Sequence, residues 1–418
     1  MELREAIAYI HNLPKGLKPG LHRIKKLLNL LGDPQKSLKF VHIAGTNGKG
    51  STAAMTASIL TCAGYKTGLF TSPFIYRFHE RIQLSGEQIS DEDLLPLILK
   101  VKALAETMEQ SPAQFEFVTA MAMEYYRSKQ ADIVVLEVGM GGALDATNAI
   151  DCPEVAVITN IGLDHTDALG STLPEIATHK AGIIKPGCQV VAYRGDANVE
   201  AVYAQVCARN KAKLHMADFD SIRLLDRKLE AQVFSHGTRE GLRLPLLGAH
   251  QLYNAAVVLA TVDALKELGW NISEENIRQG MEQVQWPGRF DIVGKDPLFI
   301  IDGGHNPQCI DALAGNIDAY LSDRTLVALV GVLADKDYAE MFRPVMGKVS
   351  CFVCITPDNP RRLPSAELAA HLNAAGSRAV ACETVAEAVA TAKDLAGKDG
   401  AVLCFGSLYS IGQIKGAL

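Results

Sequence analysis

Long apolar runs are absent from this 418-residue sequence. No stretch reaches the ~18 uninterrupted apolar residues that a membrane-crossing helix needs, so no such helix is expected. The opening residues Met1-Glu2-Leu3-Arg4-Glu5 lack the basic-then-apolar order of a secretory leader, and the expected setting is the cytoplasm. Positive charge is not in excess: 41 Lys and Arg stand against 47 Asp and Glu, a formal balance of −6. That balance excludes an unguided grip on nucleic acid or on an anionic membrane, and neither is expected as a partner. An anionic small molecule must instead meet local positive charge, from a cluster, a helix end or a metal. Regular cysteine spacing is also missing. Nine cysteines lie scattered, which excludes a disulfide framework and fits a reducing compartment. Cys351 and Cys354 form one CxxC-like pair, yet within Val349–Ile355 they read as part of a buried strand. Low-complexity tracts and short repeats are lacking too.

What is present is the composition of a soluble globular protein, with 48% apolar and 21% charged residues. The length predicts two domains. Apolar β-rich runs alternate with longer helical patterns, the signature of βαβ units and a mostly parallel sheet. Expected strands are Phe40–Ala44, Ile133–Glu137, Val155–Thr159 and Gln189–Tyr193. Expected helices are Thr52–Ala63, Asp91–Met108, Phe115–Ser128 and Gln251–Leu268. The turn-rich, alternating stretch Phe219–Pro245 reads as one or two hairpins beside the main sheet. A second α/β series, with strands at Leu298–Asp302, Thr325–Val330, Val349–Thr356 and Ala401–Phe405, follows a boundary placed near Gly294. The domains are thus 1–294 and 295–418.

The strongest local signal is Val41–Thr52, a β-run entering a glycine-rich turn with a lysine and hydroxyls before a helical pattern. Glycines let backbone amides wrap phosphate oxygens, and a helix N-terminus presents unpaired N–H groups to negative charge. Thr46, Asn47, Gly48, Gly50 and Ser51 would line a nucleotide's phosphates, with Lys49 against the β/γ-phosphates. A hydroxyl of Ser51 or Thr52 would reach Mg²⁺. The spacing departs from the standard phosphate-loop rule, because Gly50 separates Lys49 from the hydroxyl residue. A second element, Ile133–Gly142, is an apolar strand ending in Glu137, placed as a carboxylate that holds Mg²⁺ in nucleotide-binding proteins. A third, Asn160–Asp167, lies just past a strand, where parallel sheets bind ligands, and His165 is its candidate metal ligand. Lys180 reads, from its helical pattern alone, as a solvated lysine.

Taken in order, these residues resemble the folylpolyglutamate synthase family, relatives of the Mur ligases. The resemblance is carried by Ala44–Ser51 (AGTNGKGS), Thr71-Ser72-Pro73, Val138–Asn148 (VGMGGALDATN), Leu163–Thr166 (LDHT), Lys180–Lys185 (KAGIIK), Pro287–Phe290 (PGRF) and Asp302–Pro307 (DGGHNP). Ala334–Asp337 and Gly406–Tyr409 also fit, so nearly the whole chain is covered. The implied fold is α/β: an N-terminal P-loop, Mur-ligase-type ATP-binding domain with a mostly parallel sheet, then a smaller C-terminal Rossmann-like domain. The implied reaction adds L-glutamate to a folate carboxylate with ATP and Mg²⁺, two ions, through an acyl phosphate. Ser72, Glu137 and His165 would hold the magnesium ions, and Lys180 would be carboxylated to support a metal. Asn254, Arg289 and Asp302 would contact ATP. His305 and Ser407 would help form the glutamate site, and Phe115, Glu116, Leu144 and Asp145 would lie near the folate. The implied catalytic set is Lys49, Lys180 and His305, in a chain that works as a monomer.

Many members carry Arg at Ala143 and His at Phe74. Those departures leave open whether dihydropteroate serves as a second acceptor. Two other readings share the phosphate loop: a Mur-type ligase acting on a cell-wall precursor, and a nucleotide-binding switch that ligates nothing.

Overall fold

Eight strands build the first sheet: Phe40–Ala44 (β1), Thr67–Phe70 (β2), Ile82–Leu84 (β3), Glu87–Gln88 (β4), Ile133–Glu137 (β5), Val155–Ile158 (β6), Gln189–Ala192 (β7) and Lys213–Met216 (β8). They are seen in a computed structural model that describes residues 1–15 and 20–418. Across the sheet the order is β4-β3-β2-β5-β1-β6-β7-β8. From β2 to β8 all neighbours pair in parallel, while β3 and β4 are antiparallel additions at one edge. The central strands β1, β5 and β6 are buried along their whole length, which is why they read as continuous apolar runs. β1 lies between β5 and β6, so the chain winds first to one side of it and then to the other. The crevice at the carboxyl ends of such strands is where open α/β sheets take ligands.

The helix after β1 spans Lys49–Cys62, three residues earlier than its sequence pattern suggested. The reason is Gly48, whose φ of +85° lets the chain turn directly into the helix. Lys49, Gly50 and Ser51 therefore occupy the first helical turn, where backbone N–H groups have no intrahelical acceptor. The helix Leu173–Ala181 starts at a Thr172 cap with Glu175 completing a capping box, and it carries Lys180 in its last turn.

The turn-rich stretch forms three strands, Ile222–Arg227 (β9), Gln232–His236 (β10) and Arg239–Leu244 (β11), in one small sheet ordered β11-β10-β9. The last sheet holds Asp291–Lys295 (β12), Leu298–Ile301 (β13), Leu326–Val330 (β14), Cys351–Cys354 (β15), Ala379–Ala381 (β16) and Ala401–Phe405 (β17). Its order is β12-β13-β17-β14-β15-β16, antiparallel only between β12 and β13. Cys351 and Cys354 lie in a fully buried strand.

The chain divides into two compact units. The first holds Met1–Arg223, Ser235–Arg243 and Tyr253–Val284; the second holds Leu224–Phe234, Leu244–Leu252 and Gln285–Leu418. A boundary at Gly294 would cut the β12–β13 hairpin, because Gly294 pairs with Phe299. Each unit has its own apolar core: Phe70, Phe117 and Tyr126 are among the buried side chains of the first, and Phe342, Phe352 and Phe405 of the second.

Candidate active site

The phosphate loop is fastened to the segment that follows β6. The Thr46 amide donates to the Asn160 carbonyl at 2.8 Å, and its hydroxyl donates to the Gly162 carbonyl at 3.1 Å. The Gly162 amide returns a bond to that hydroxyl at 3.1 Å, while the Thr159 hydroxyl donates to the Asn47 carbonyl at 2.8 Å. The loop is thus held in its wrapped shape by the Asn160 and Gly162 backbone and by the Thr159 hydroxyl. Asn254 backs it from the helix Ala249–Glu267: a Cβ placed on Gly48 would overlap the Asn254 Oδ1 atom. The Lys49 ammonium donates to the Thr46 carbonyl at 3.1 Å.

Gly45, Thr46 and Lys49 line a cleft with Val138–Gly141, Asp164, His165 and Lys180. Lys180, a solvated residue by its helical pattern but a catalytic one by the family resemblance, is among them. Only 4% of that residue is exposed, and its amine donates to the Gly45 carbonyl at 2.7 Å. Burial first, and the neighbouring Lys49 charge second, push its pKa down to about 7. The solvated lysine read from the helical pattern is therefore corrected: tertiary packing against the phosphate loop buries it. An amine poised near neutrality is a nucleophile able to take up carbon dioxide as a carbamate. His165 sits in the left-handed backbone region at φ +50° and starts the short helix Thr166–Leu169.

Glu137 ends β5 beside β1, and its Oε2 accepts the Ser72 amide at 3.0 Å. Thr52, in the first turns of the helix after the phosphate loop, has a buried hydroxyl without a hydrogen-bond partner among the described residues. Carboxylate and hydroxyl oxygens are the donors a hard cation such as Mg²⁺ takes alongside substrate phosphates, so the chemistry of Glu137 and the Ser72 hydroxyl fits that ion. An imidazole is a softer donor, and His165 fits less well.

On the loop after β5, Asp145 is buried and accepts the Met140 amide at 2.9 Å, the Thr147 amide at 3.0 Å and the Thr147 hydroxyl at 2.6 Å. Burial raises its pKa, against those donors. Its oxygens are committed to shaping the loop. Glu116 is likewise committed, to Arg23 at 3.0 Å and to the Ala113 amide at 2.6 Å, where it caps the helix Gln114–Ser128. Phe115 is brought close to the loop, since a Cβ on Gly139 would lie 2.6 Å from its ring. Leu144, beside Asp145, is an apolar side chain that is 53% exposed.

Comparison with known proteins decides the family. Residues 43–262 match the Mur ligase middle domain, and residues 288–408 match the Mur ligase, glutamate ligase domain. The chain is 39% identical to the folylpolyglutamate synthase of Lacticaseibacillus casei over 380 residues, 88% of each chain. It is 36% identical to the dihydrofolate synthase/folylpolyglutamate synthase of Bacillus subtilis, covering 99% of this chain and 98% of that one. The E. coli FolC structure in complex with DHPP and ADP superposes with a TM-score of 0.88 at 32% identity, covering 99% of this chain and 97% of that one. The chain belongs to the folylpolyglutamate synthase family of Mur-type ligases.

In this family member the second unit gathers its candidate residues at the carboxyl ends of β13 and β17. Asp302 accepts the Phe290 amide at 2.9 Å and the Gly304 amide at 2.7 Å. The Gly303 amide donates to the Gly288 carbonyl at 2.8 Å, which brings the Pro287–Phe290 turn and Arg289 onto the same loop. His305 Nδ1 lies 2.8 Å from the Gly303 carbonyl. Ser407 is buried at the start of the helix Leu408–Gly416 and accepts the Tyr409 amide at 3.3 Å. The Gly406 amide donates to the Gly304 carbonyl at 2.9 Å, so the two loops meet. Arg289, Asp302, His305 and Ser407 thus form one cluster within the second unit. Sequence reading passed over Thr159 and His42; each is a polar residue in or beside an apolar strand, and that misfit was the available signal.

Proposed function

We propose that this chain is an ATP-dependent ligase that adds L-glutamate to the γ-carboxylate of a folate or its polyglutamates. The observation that carries the reading is the cleft in which Lys49, the phosphate-loop amides and the buried Lys180 amine converge, in a chain matched along its whole length by enzymes of this family. A carboxylate oxygen of the acceptor attacks the γ-phosphorus of ATP, and ADP leaves. The glutamate amine then attacks the acyl carbon, the amine loses its proton, and phosphate leaves. Carboxylate and triphosphate repel, so the site must neutralise charge and hold an in-line geometry. Lys49 and the amides of the first helical turn supply fixed positive potential at the phosphates.

Mg²⁺ would be held by Glu137 and the Ser72 hydroxyl, with His165 as the softer third donor, and it would offset charge on the transferring phosphate. Lys180, as a carbamate, would turn a buried cation into an anion that supports the metal site. Phe115 and Leu144 would cover the acceptor's flat rings, while Asp145 and Glu116 shape the loop and helix that carry them. In the second unit, His305 and Ser407 would receive the amino acid. The enzyme acts as a monomer in the cytoplasm. Dihydropteroate is the second acceptor to test, since the Bacillus subtilis relative is named for both activities.

The test is phosphate release with MgATP and glutamate, given tetrahydrofolate or dihydropteroate as acceptor. Release that depends on all three substrates is expected. Lys49→Ala should lower the rate by about 10²–10³ or more, as loss of a charge-stabilising donor does, with an unchanged melting curve. Phosphate release that ignores the acceptor would overturn the reading.

A further inference from the structure

We propose that His42, acting through Thr147 and Asp145, is a positioning residue that sets the acceptor-side loop 139–145. His42 is a fully buried imidazole in the middle of β1. Burying such a group is costly unless it is hydrogen-bonded. Its Nε2 lies 2.9 Å from the Thr147 hydroxyl oxygen, which lies 2.6 Å from Asp145 Oδ1. The Thr147 and Met140 amides also point at the Asp145 carboxyl, at 3.0 and 2.9 Å. Two amide donors identify the carboxyl as an acceptor, so the single Thr147 hydroxyl proton goes to Asp145. The Thr147 oxygen must then accept, and His42 Nε2–H must donate. The chain of bonds has one direction, with Nδ1 bare; that atom is buried and has no hydrogen-bond partner among the described residues. Burial keeps the ring neutral, pushing its pKa down to about 3.

The far end of the chain is the acceptor side. Asp145 Oδ2 lies 3.1 Å from where a Gly139 Cβ would stand, and the Phe115 ring lies 2.6 Å from the same point. Carboxylate, Gly139 and ring therefore pack as one stack, with exposed Leu144 next in the chain. The phosphate loop is fastened by other bonds, those of Thr46 and Thr159. Losing His42 should be felt by the acceptor and not by ATP.

The acceptor half of this inference rests on the reading above, and the experiment separates the two. His42→Leu and Thr147→Val should each raise KM for the pteroyl acceptor about tenfold, with KM for ATP unchanged, and should be non-additive together. His42→Gln, whose side-chain amide can still donate to Thr147, should restore the acceptor KM. A folded His42→Gln no better than His42→Leu, additive losses, or an equal rise in KM for ATP would each overturn the proposal. Two readouts need no activity. Nitrogen-15 spectra should show His42 protonated at Nε2 and bare at Nδ1, and the Met140 amide should exchange faster in His42→Leu but not in His42→Gln. The opposite tautomer, or unchanged exchange, would overturn it even in a chain that ligates nothing.

Discussion

Lys180 shows how much a single side chain's surroundings decide. An unfolded lysine titrates near 10.5, whereas this one is pushed down to about 7. Between those values the unfolded chain holds a proton that the folded chain has released, so folding stability should rise with pH across that window. Below pH 7 both states are charged and the burial penalty is complete, on the order of 5 kcal/mol. Lys180→Met fills similar volume without the amine. In buffer free of carbon dioxide it should be more stable than the parent by several kcal/mol near pH 6.5, with the gap closing toward pH 10. Denaturant melts at a series of pH values check this, and a pH-independent difference would refute it. Turnover should be lost in the same variant, because methionine cannot form the carbamate that would support the metal site. With carbon-13 bicarbonate supplied, a carbamate resonance from Lys180, absent in Lys180→Met, would complete the picture.

At the level of elements, legibility followed burial. β1 and β5 were read with their observed bounds because both faces are covered and the apolar run is unbroken. Thr67–Phe70 and Ala379–Ala381 went unread: each is short, and glycine or alanine fills positions where β-branched residues would have signalled a strand. The helices Leu3–Asn12 and His22–Leu30 were likewise passed over, although their buried faces pack on the first core. In the cleft, Lys49 and His165 are legible because they sit in local motifs. The depth of Lys180 was not, because its partner carbonyl is 135 residues away in sequence. The phosphate-loop turn yields a controlled prediction. Gly48 and Gly64 both lie in the left-handed region, at φ +85° and +87°, yet only Gly48 has Asn254 where a Cβ would go; Gly64 faces open space. Alanine at either position should cost about 1–2 kcal/mol of backbone strain. Gly48→Ala should in addition weaken MgADP binding at least tenfold, while Gly64→Ala leaves it unchanged. Calorimetric titration of both variants decides, and equal losses would show that the turn acts through strain alone.

For the molecule as a whole, the consequence of two cores is that one melting temperature need not describe both. The sequence holds only two tryptophans, and each unit has one. Trp270 lies in the first unit, its indole N–H donating to Glu154 at 3.0 Å, with the Tyr65 ring centroid 4.9 Å away. Trp286 lies in the second, and its indole nitrogen is buried without a hydrogen-bond partner among the described residues. Replacing Trp286 by Phe removes that uncompensated group, so the fold should tolerate the change and leave Trp270 to report on the first unit alone. A ligand that binds only the folded state stabilises it by about 2.7 kcal/mol at a hundredfold excess over its dissociation constant. MgADP at that excess should therefore raise the Trp270-reported midpoint by several degrees in Trp286→Phe. Adding Lys49→Ala should abolish the rise, because the phosphate loop belongs to the unit being observed. A midpoint that rises equally with and without Lys49 would mean that the nucleotide is gripped elsewhere.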